Sequence, residues 1–142
     1  MMLMSTEDGT SSENKELQPP SVLIIDDEAG VVSGLTELLE SEGYEVATAS
    51  DGADALEQLR GGLRPSAILL DLMMPRMDGW DFRHEQMKDE DLKEIPIIIL
   101  TAAGFSEASV KAQFGDIGFV RKSSGHAAML RALRQSCGEL EP

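Results

Sequence analysis

The sequence predicts an α/β protein, a doubly wound sheet of five parallel strands with helices on both faces. Three observations lead there. Apolar runs alternate with stretches of helical spacing five times along 142 residues, and strand–helix alternation at this spacing builds a parallel sheet. The run Ala67-Ile68-Leu69-Leu70 is apolar throughout, as expected of a strand covered on both faces. The runs also end on polar residues: Asp26-Asp27-Glu28, Asp71, Thr101 and Lys122. In a parallel sheet these ends share one edge, where ligands of open α/β sheets bind.

Taken in order, residues 5–20 are rich in Ser, Thr, Glu, Asn and Gln and end in Pro19-Pro20; residues 1–20 are expected to be a disordered acidic, polar leader. Ser21 to Ile25 is the first strand. Val31, Val32, Leu35, Leu38 and Leu39 recur at helical spacing from Val31 to Glu42, and Gly43 ends that helix. Tyr44 to Ala49 is the second strand, Ser50-Asp51-Gly52 a turn, and Ala53 to Arg60 a helix with Ala55, Leu56 and Leu59 on its face. Gly61-Gly62 breaks it, and the strand Ala67 to Leu70 follows.

Asp78 to Lys88 is expected to be helical, with Asp78 as N-cap and Trp80, Phe82 and Met87 as its sparse apolar residues. Ile95 to Leu100 is the fourth strand, Ser106 to Phe114 a weak helix, and Ile117 to Val120 the fifth strand. His126 to Cys137 closes the folded unit, 21–137, with Met129, Leu130, Leu133 and Cys137 along one side. Residues 138–142 are expected to fray.

Composition narrows the function. A formal net charge of −14 disfavours direct binding to nucleic acid, which needs clustered Lys and Arg. No apolar run approaches a membrane span. The single cysteine, Cys137, excludes an intrachain disulfide framework, and a cytoplasmic location is the expectation.

The strand ends would gather three or more carboxylates, a hydroxyl and an ammonium in one pocket. Carboxylates sharing a site repel one another, and a hard divalent cation, Mg²⁺ (or Mn²⁺), relieves that repulsion. Lys122 can neutralise Asp71 or a phosphoryl oxygen, and Thr101 can donate a hydrogen bond to one. A carboxylate can itself be the nucleophile that forms an aspartyl phosphate. The chemistry this pocket suits is Mg²⁺-assisted phosphoryl transfer onto Asp71.

These residues carry a resemblance to a known family. Asp26-Asp27, Ser50-Asp51-Gly52, Asp71 with Met74-Pro75 and Asp78-Gly79, Leu100-Thr101-Ala102, and Lys122 stand in the chain as in the receiver domain of two-component response regulators. The resemblance covers roughly Ser21 to Cys137. It implies a flavodoxin-like sheet with strand order 2-1-3-4-5. It further implies that Asp71 is the phosphoacceptor and Asp27 the main side-chain Mg²⁺ ligand. Asp26 would hold a metal-bound water, and the Met73 carbonyl would complete the metal site. Thr101 and Lys122 would bind phosphoryl oxygens, and Phe119 falls where the family has its rotating switch aromatic. The partners it implies are a histidine kinase or histidine phosphotransfer protein, a downstream protein target, and a possible second copy in a homodimer. The switching surface would be the fourth helix, fifth strand and fifth helix.

The chain departs from the family at Ser123, where a Pro usually follows the Lys, and in the polar run Arg83-His84-Glu85-Gln86. Ser123 and the weak fourth helix sustain an alternative: a pseudo-receiver, a protein-interaction domain not switched by phosphate. Met73 and Ala103, each two residues beyond a site residue, stand where the family often has polar side chains that orient water. Slow loss of the phosphoryl group is therefore expected.

Overall fold

The computed structural model describes residues 20–102, 104–115 and 117–137. The expected leader 1–20 (all but Pro20), the tail 138–142 and Ala103 lie outside the described residues. Five parallel strands form one sheet in the order β2-β1-β3-β4-β5: β1 (Ser21–Ile25), β2 (Glu45–Ala49), β3 (Ala67–Leu70), β4 (Ile97–Thr101) and β5 (Gly118–Arg121). Between and after them run α1 (Ala29–Ser41), α2 (Gly52–Arg60), α3 (Gly79–Met87), α4 (Glu107–Phe114) and α5 (His126–Cys137), with a 3₁₀ turn at Lys122–Ser124.

Side-chain alternation along the strands sorts the core into two layers. Leu23, Ile25, Ile68, Leu70, Ile97 and Ile99 meet α2, α3 and α4 through Leu56, Leu59, Phe82, Val110 and Phe114. Val22, Ile24, Leu69, Ile98 and Leu100 meet α1 and α5 through Leu35, Leu39, Met129 and Leu133. Each such buried side chain contributes about 1.5–3 kcal/mol relative to exposure. Both layers are apolar, so β1, β3 and β4 read as nearly continuous apolar runs.

Element ends shift slightly from those expected, for local reasons. β4 begins after Pro96, which has no N–H for the ladder; its carbonyl still accepts from Ile68 N at 2.9 Å. Tyr44 stands before β2 rather than in it, in the turn that follows α1, its N–H donating to Leu39 O at 3.0 Å. Asp78 caps α3 as expected, its carboxylate accepting from Asp81 N at 2.9 Å. Asp51 and Ser106 cap α2 and α4 in the same way.

The polar run in α3 has a use that periodicity does not reveal. Met87 is exposed, whereas Gln86 is fully buried. The Gln86 amide donates to Leu92 O at 2.9 Å and Ile95 O at 3.1 Å, satisfying carbonyls of the turn before β4. Arg83 donates to Gln86 Oε1 and to Phe114 O, tying α3 to the end of α4. Trp80 packs on Phe114 with ring centroids 4.8 Å apart.

Candidate functional site

The chain leaves β1 for β2 on one side of the sheet and returns to β3 on the other. Neighbouring strands β1 and β3 therefore send their following loops in opposite directions and open a crevice between them. Asp26 and Asp27 follow β1, and Asp71 follows β3. Backbone bonds fix both positions: Asp26 N donates to Ala49 O at 3.1 Å, and Asp71 N to Ile25 O at 2.9 Å. The three residues each offer a carboxylate oxygen, and those oxygens lie within 4.8 Å of one another. Asp26 and Asp71 are buried and Asp27 is exposed.

Lys122, just past β5, reaches into the same crevice. Its Nζ lies 2.8 Å from Asp26 Oδ2, 2.8 Å from Glu28 Oε1 and 3.8 Å from Asp71 Oδ2. Burial works against its charge, but the paired Asp26 carboxylate and the bond to Glu28 hold the ammonium above its ordinary value. The same bond to Lys122 holds the Glu28 carboxyl low. Asp71 behaves oppositely. Burial, then the charge of Asp26, push its carboxyl up to about 6 against the opposing pull of Lys122 and the Met73 N–H, with Asp27 adding to the rise. That N–H donates to Asp71 Oδ1 at 3.3 Å, and the Met73 side chain stands 63 % exposed.

The donor set fits a hard divalent cation. All three side chains offer oxygen, the donor type that Mg²⁺ and Mn²⁺ prefer. Asp26 Oδ2 is buried and accepts no well-directed hydrogen bond; its contact with Lys122 is an ion pair. Asp71 also carries repulsion that one ammonium leaves uncompensated.

Thr101 ends β4 and is buried. The β3–β4 register pairs Leu70 with Ile99, so Thr101 stands two residues past that pair and Asp71 one. Phe119 lies on β5 opposite Ile99, partly buried against the α2–α3–α4 layer. The Arg121 guanidinium lies 5.2 Å from its ring centroid.

Several supporting contacts were not foreseen. Glu28 shares Lys122 across a separation of 94 residues, which local pattern cannot reveal. Arg76, the one non-glycine residue with positive φ among those described (66°), pairs with buried Asp51. The Asp51 carboxyl is lowered first by the Asp54 N–H and then, against burial, by Arg76. Gly52 N donates to Met77 O at 2.9 Å, so the β2–α2 turn and the β3–α3 loop are bonded twice. At Gly79 an added Cβ would meet Asp71 O at 2.7 Å; only Gly lets α3 start this close to the end of β3.

Known proteins share this fold. A profile of the response regulator receiver domain matches residues 22–134. The chain belongs to the response regulator receiver domain family. It is 46% identical over 83 residues to the "Probable transcriptional regulator ycf27" of Guillardia theta, covering 58% of this chain and 31% of that protein. It is 38% identical over 84 residues to the response regulator MprA of Mycobacterium sp. (strain KMS), covering 59% and 35%. The chain thus spans about a third of the length of the curated relatives it matches. Among solved structures, Vibrio cholerae chemotaxis protein CheY4 superposes with a TM-score of 0.75 at 28% identity, covering 83% of this chain and 98% of that one. Response regulator TrrA of Thermotoga maritima, solved with Mg²⁺-BeF, gives 0.72 at 29%, covering 82% and 97%.

Proposed function

We propose that Asp71 accepts a phosphoryl group from the phosphohistidine of a histidine kinase or phosphotransfer protein, and that this alters the α4–β5–α5 surface read by a downstream protein. The observation that carries the reading is the convergence of Asp26, Asp27 and Asp71, with oxygens within 4.8 Å, beside the one ammonium of Lys122.

In the transfer an Asp71 oxygen attacks phosphorus, the P–N bond breaks, and the leaving imidazole takes up a proton. Asp27 and Asp26 would hold Mg²⁺ (or Mn²⁺), directly and through water, with Asp71 and the Met73 carbonyl. The bound cation supplies charge neutralisation for the carboxylates and the incoming phosphoryl oxygens. Lys122 and Thr101 would bind those oxygens. Lys122 would exchange its Asp26 and Glu28 contacts for a phosphoryl oxygen, a move within reach of its flexible stem. Phe119 would follow Thr101, a packing change biased by a new local charge.

Ser123 does not detach the lysine from the site. The chain enters a 3₁₀ turn at Lys122–Ser124 and Nζ still reaches the acids, which supports the receiver over the pseudo-receiver. A cytoplasmic location and dimerisation through the α4–α5 side belong to the same proposal. Among the described residues no helix is long and apolar enough to cross a membrane.

The test is incubation with Mg²⁺ and acetyl phosphate, followed by intact mass. One Mg²⁺-dependent phosphoryl adduct, absent in Asp71→Asn, is expected. No adduct under conditions that label another receiver would transfer the weight to a phosphate-independent interaction domain.

A further inference from the structure

The chain has twelve lysines and arginines, and all but Lys15 lie among the described residues. With 26 acidic residues present, most of these cations find an oxygen. Arg60, Arg76, Lys88, Lys93, Lys111, Lys122 and Arg134 pair with carboxylates. Arg64 and Arg83 donate to backbone carbonyls. Among the described residues two of these cations have no oxygen partner, Arg121 and Arg131, and both line the same cleft of about 320 Å³ between β5 and α5. Phe119, Gln135 and Glu107 line it as well, and the Glu107 carboxylate is paired with Lys111 at 3.0 Å.

We infer that this cleft docks an acidic segment of a partner protein, its carboxylates received by Arg121 and Arg131. The inference rests on the proposed reading of α4–β5–α5 as the output surface and names the chemistry of what binds there. Among the described residues a cation with no oxygen partner of any kind is the exception, and two lining one cleft leave a local positive site. Such a site acts over about 8 Å at physiological salt, so it can attract acidic side chains although the chain as a whole is negative. A guanidinium offers the planar fork that matches a carboxylate. Arg121 also lies on the Phe119 ring, so a carboxylate that draws Arg121 away frees the ring, and movement of the ring presents Arg121. Occupant and switch aromatic are thereby coupled through one side chain.

The test titrates the ¹⁵N-labelled full chain with acetylated hexaglutamate and, separately, hexaglutamine, reading arginine Nε–H and backbone amide shifts. Saturable shifts at Arg121, Arg131 and Phe119 with hexaglutamate alone are expected. Binding should weaken at least threefold in Arg121→Gln and in Arg131→Gln, and more in the double variant, with folded-state dispersion retained. Equal shifts with hexaglutamine, or shifts elsewhere only, would overturn the inference. The same shifts on concentrating the chain without peptide would also overturn it, by assigning the cleft to a second copy. Mass after acetyl phosphate treatment is read on the same sample. An adduct without peptide binding removes the docking inference alone, whereas absence of an adduct removes the receiver reading beneath it.

Discussion

Lys122 Nζ lies nearer to Asp26, at 2.8 Å, than to Asp71, at 3.8 Å. The ammonium therefore guards the buried acid after β1 and leaves Asp71 the less compensated of the two. Lys122→Met should destabilise the metal-free protein by on the order of 3 kcal/mol, since buried carboxylates lose their counter-charge. It should also tighten Mg²⁺ binding severalfold, because a competing cation is gone. Urea unfolding and calorimetric titration check the two effects, and unchanged Mg²⁺ affinity would argue against competition.

Asp71 gives the metal-free protein a defined pH dependence. Its carboxyl is raised from 3.8 to about 6, so the folded state binds the proton more tightly than the unfolded chain does. The proton's stabilising contribution is complete below about pH 4 and is lost as pH rises through 6. The loss attributable to this group is about 3 kcal/mol at most, at 1.36 kcal/mol per pH unit. Urea unfolding from pH 4 to 7.5 should show this component, and Asp71→Asn or saturating Mg²⁺ should remove it.

Two glycines predict opposite outcomes. Gly79→Ala places a Cβ 2.7 Å from Asp71 O and 2.9 Å from Leu72 Cα. Backbone cannot yield as a side chain can, so a loss of about 1–3 kcal/mol and weaker Mg²⁺ binding are expected. Gly34→Ala, within α1, meets nothing within 4 Å and should stabilise by about 0.4–1 kcal/mol. Thermal and urea unfolding of both variants give the comparison.

Gln86→Leu keeps the volume of a buried side chain but strands the carbonyls of Leu92 and Ile95. A loss of about 1–3 kcal/mol is expected, with faster amide exchange in the turn before β4. A neutral result would show that other donors reach those carbonyls.

Met73 presents an exposed thioether beside Asp71. Under the proposed function, Met73→Asn should speed loss of the phosphoryl group several-fold by orienting water, measured as adduct decay after donor removal. An unchanged decay would show that the residue does not set the lifetime.

Strand identity was legible because both sheet faces are covered, leaving β1, β3 and β4 almost wholly apolar. The acids after β1 and β3 were legible because a parallel sheet collects strand ends at one edge. The arrangement of charge was not. Lys122 selects Glu28 as a partner from 94 residues away, and burial of Gln86 depends on carbonyls of a following turn. Helical spacing ranks Met87 above Gln86 as a core residue, and the structure reverses that order, since an amide with two acceptors can be buried at little cost.

The double fastening of the β2–α2 turn to the β3–α3 loop has a mechanical consequence. With Gly52 bonded to Met77 and Asp51 to Arg76, one jaw of the crevice is clamped to the frame of the molecule. Under the proposed function, a load applied at Asp71 would then meet an anvil on that side, and the displacement would be delivered to the opposite jaw, where Thr101 and Phe119 stand.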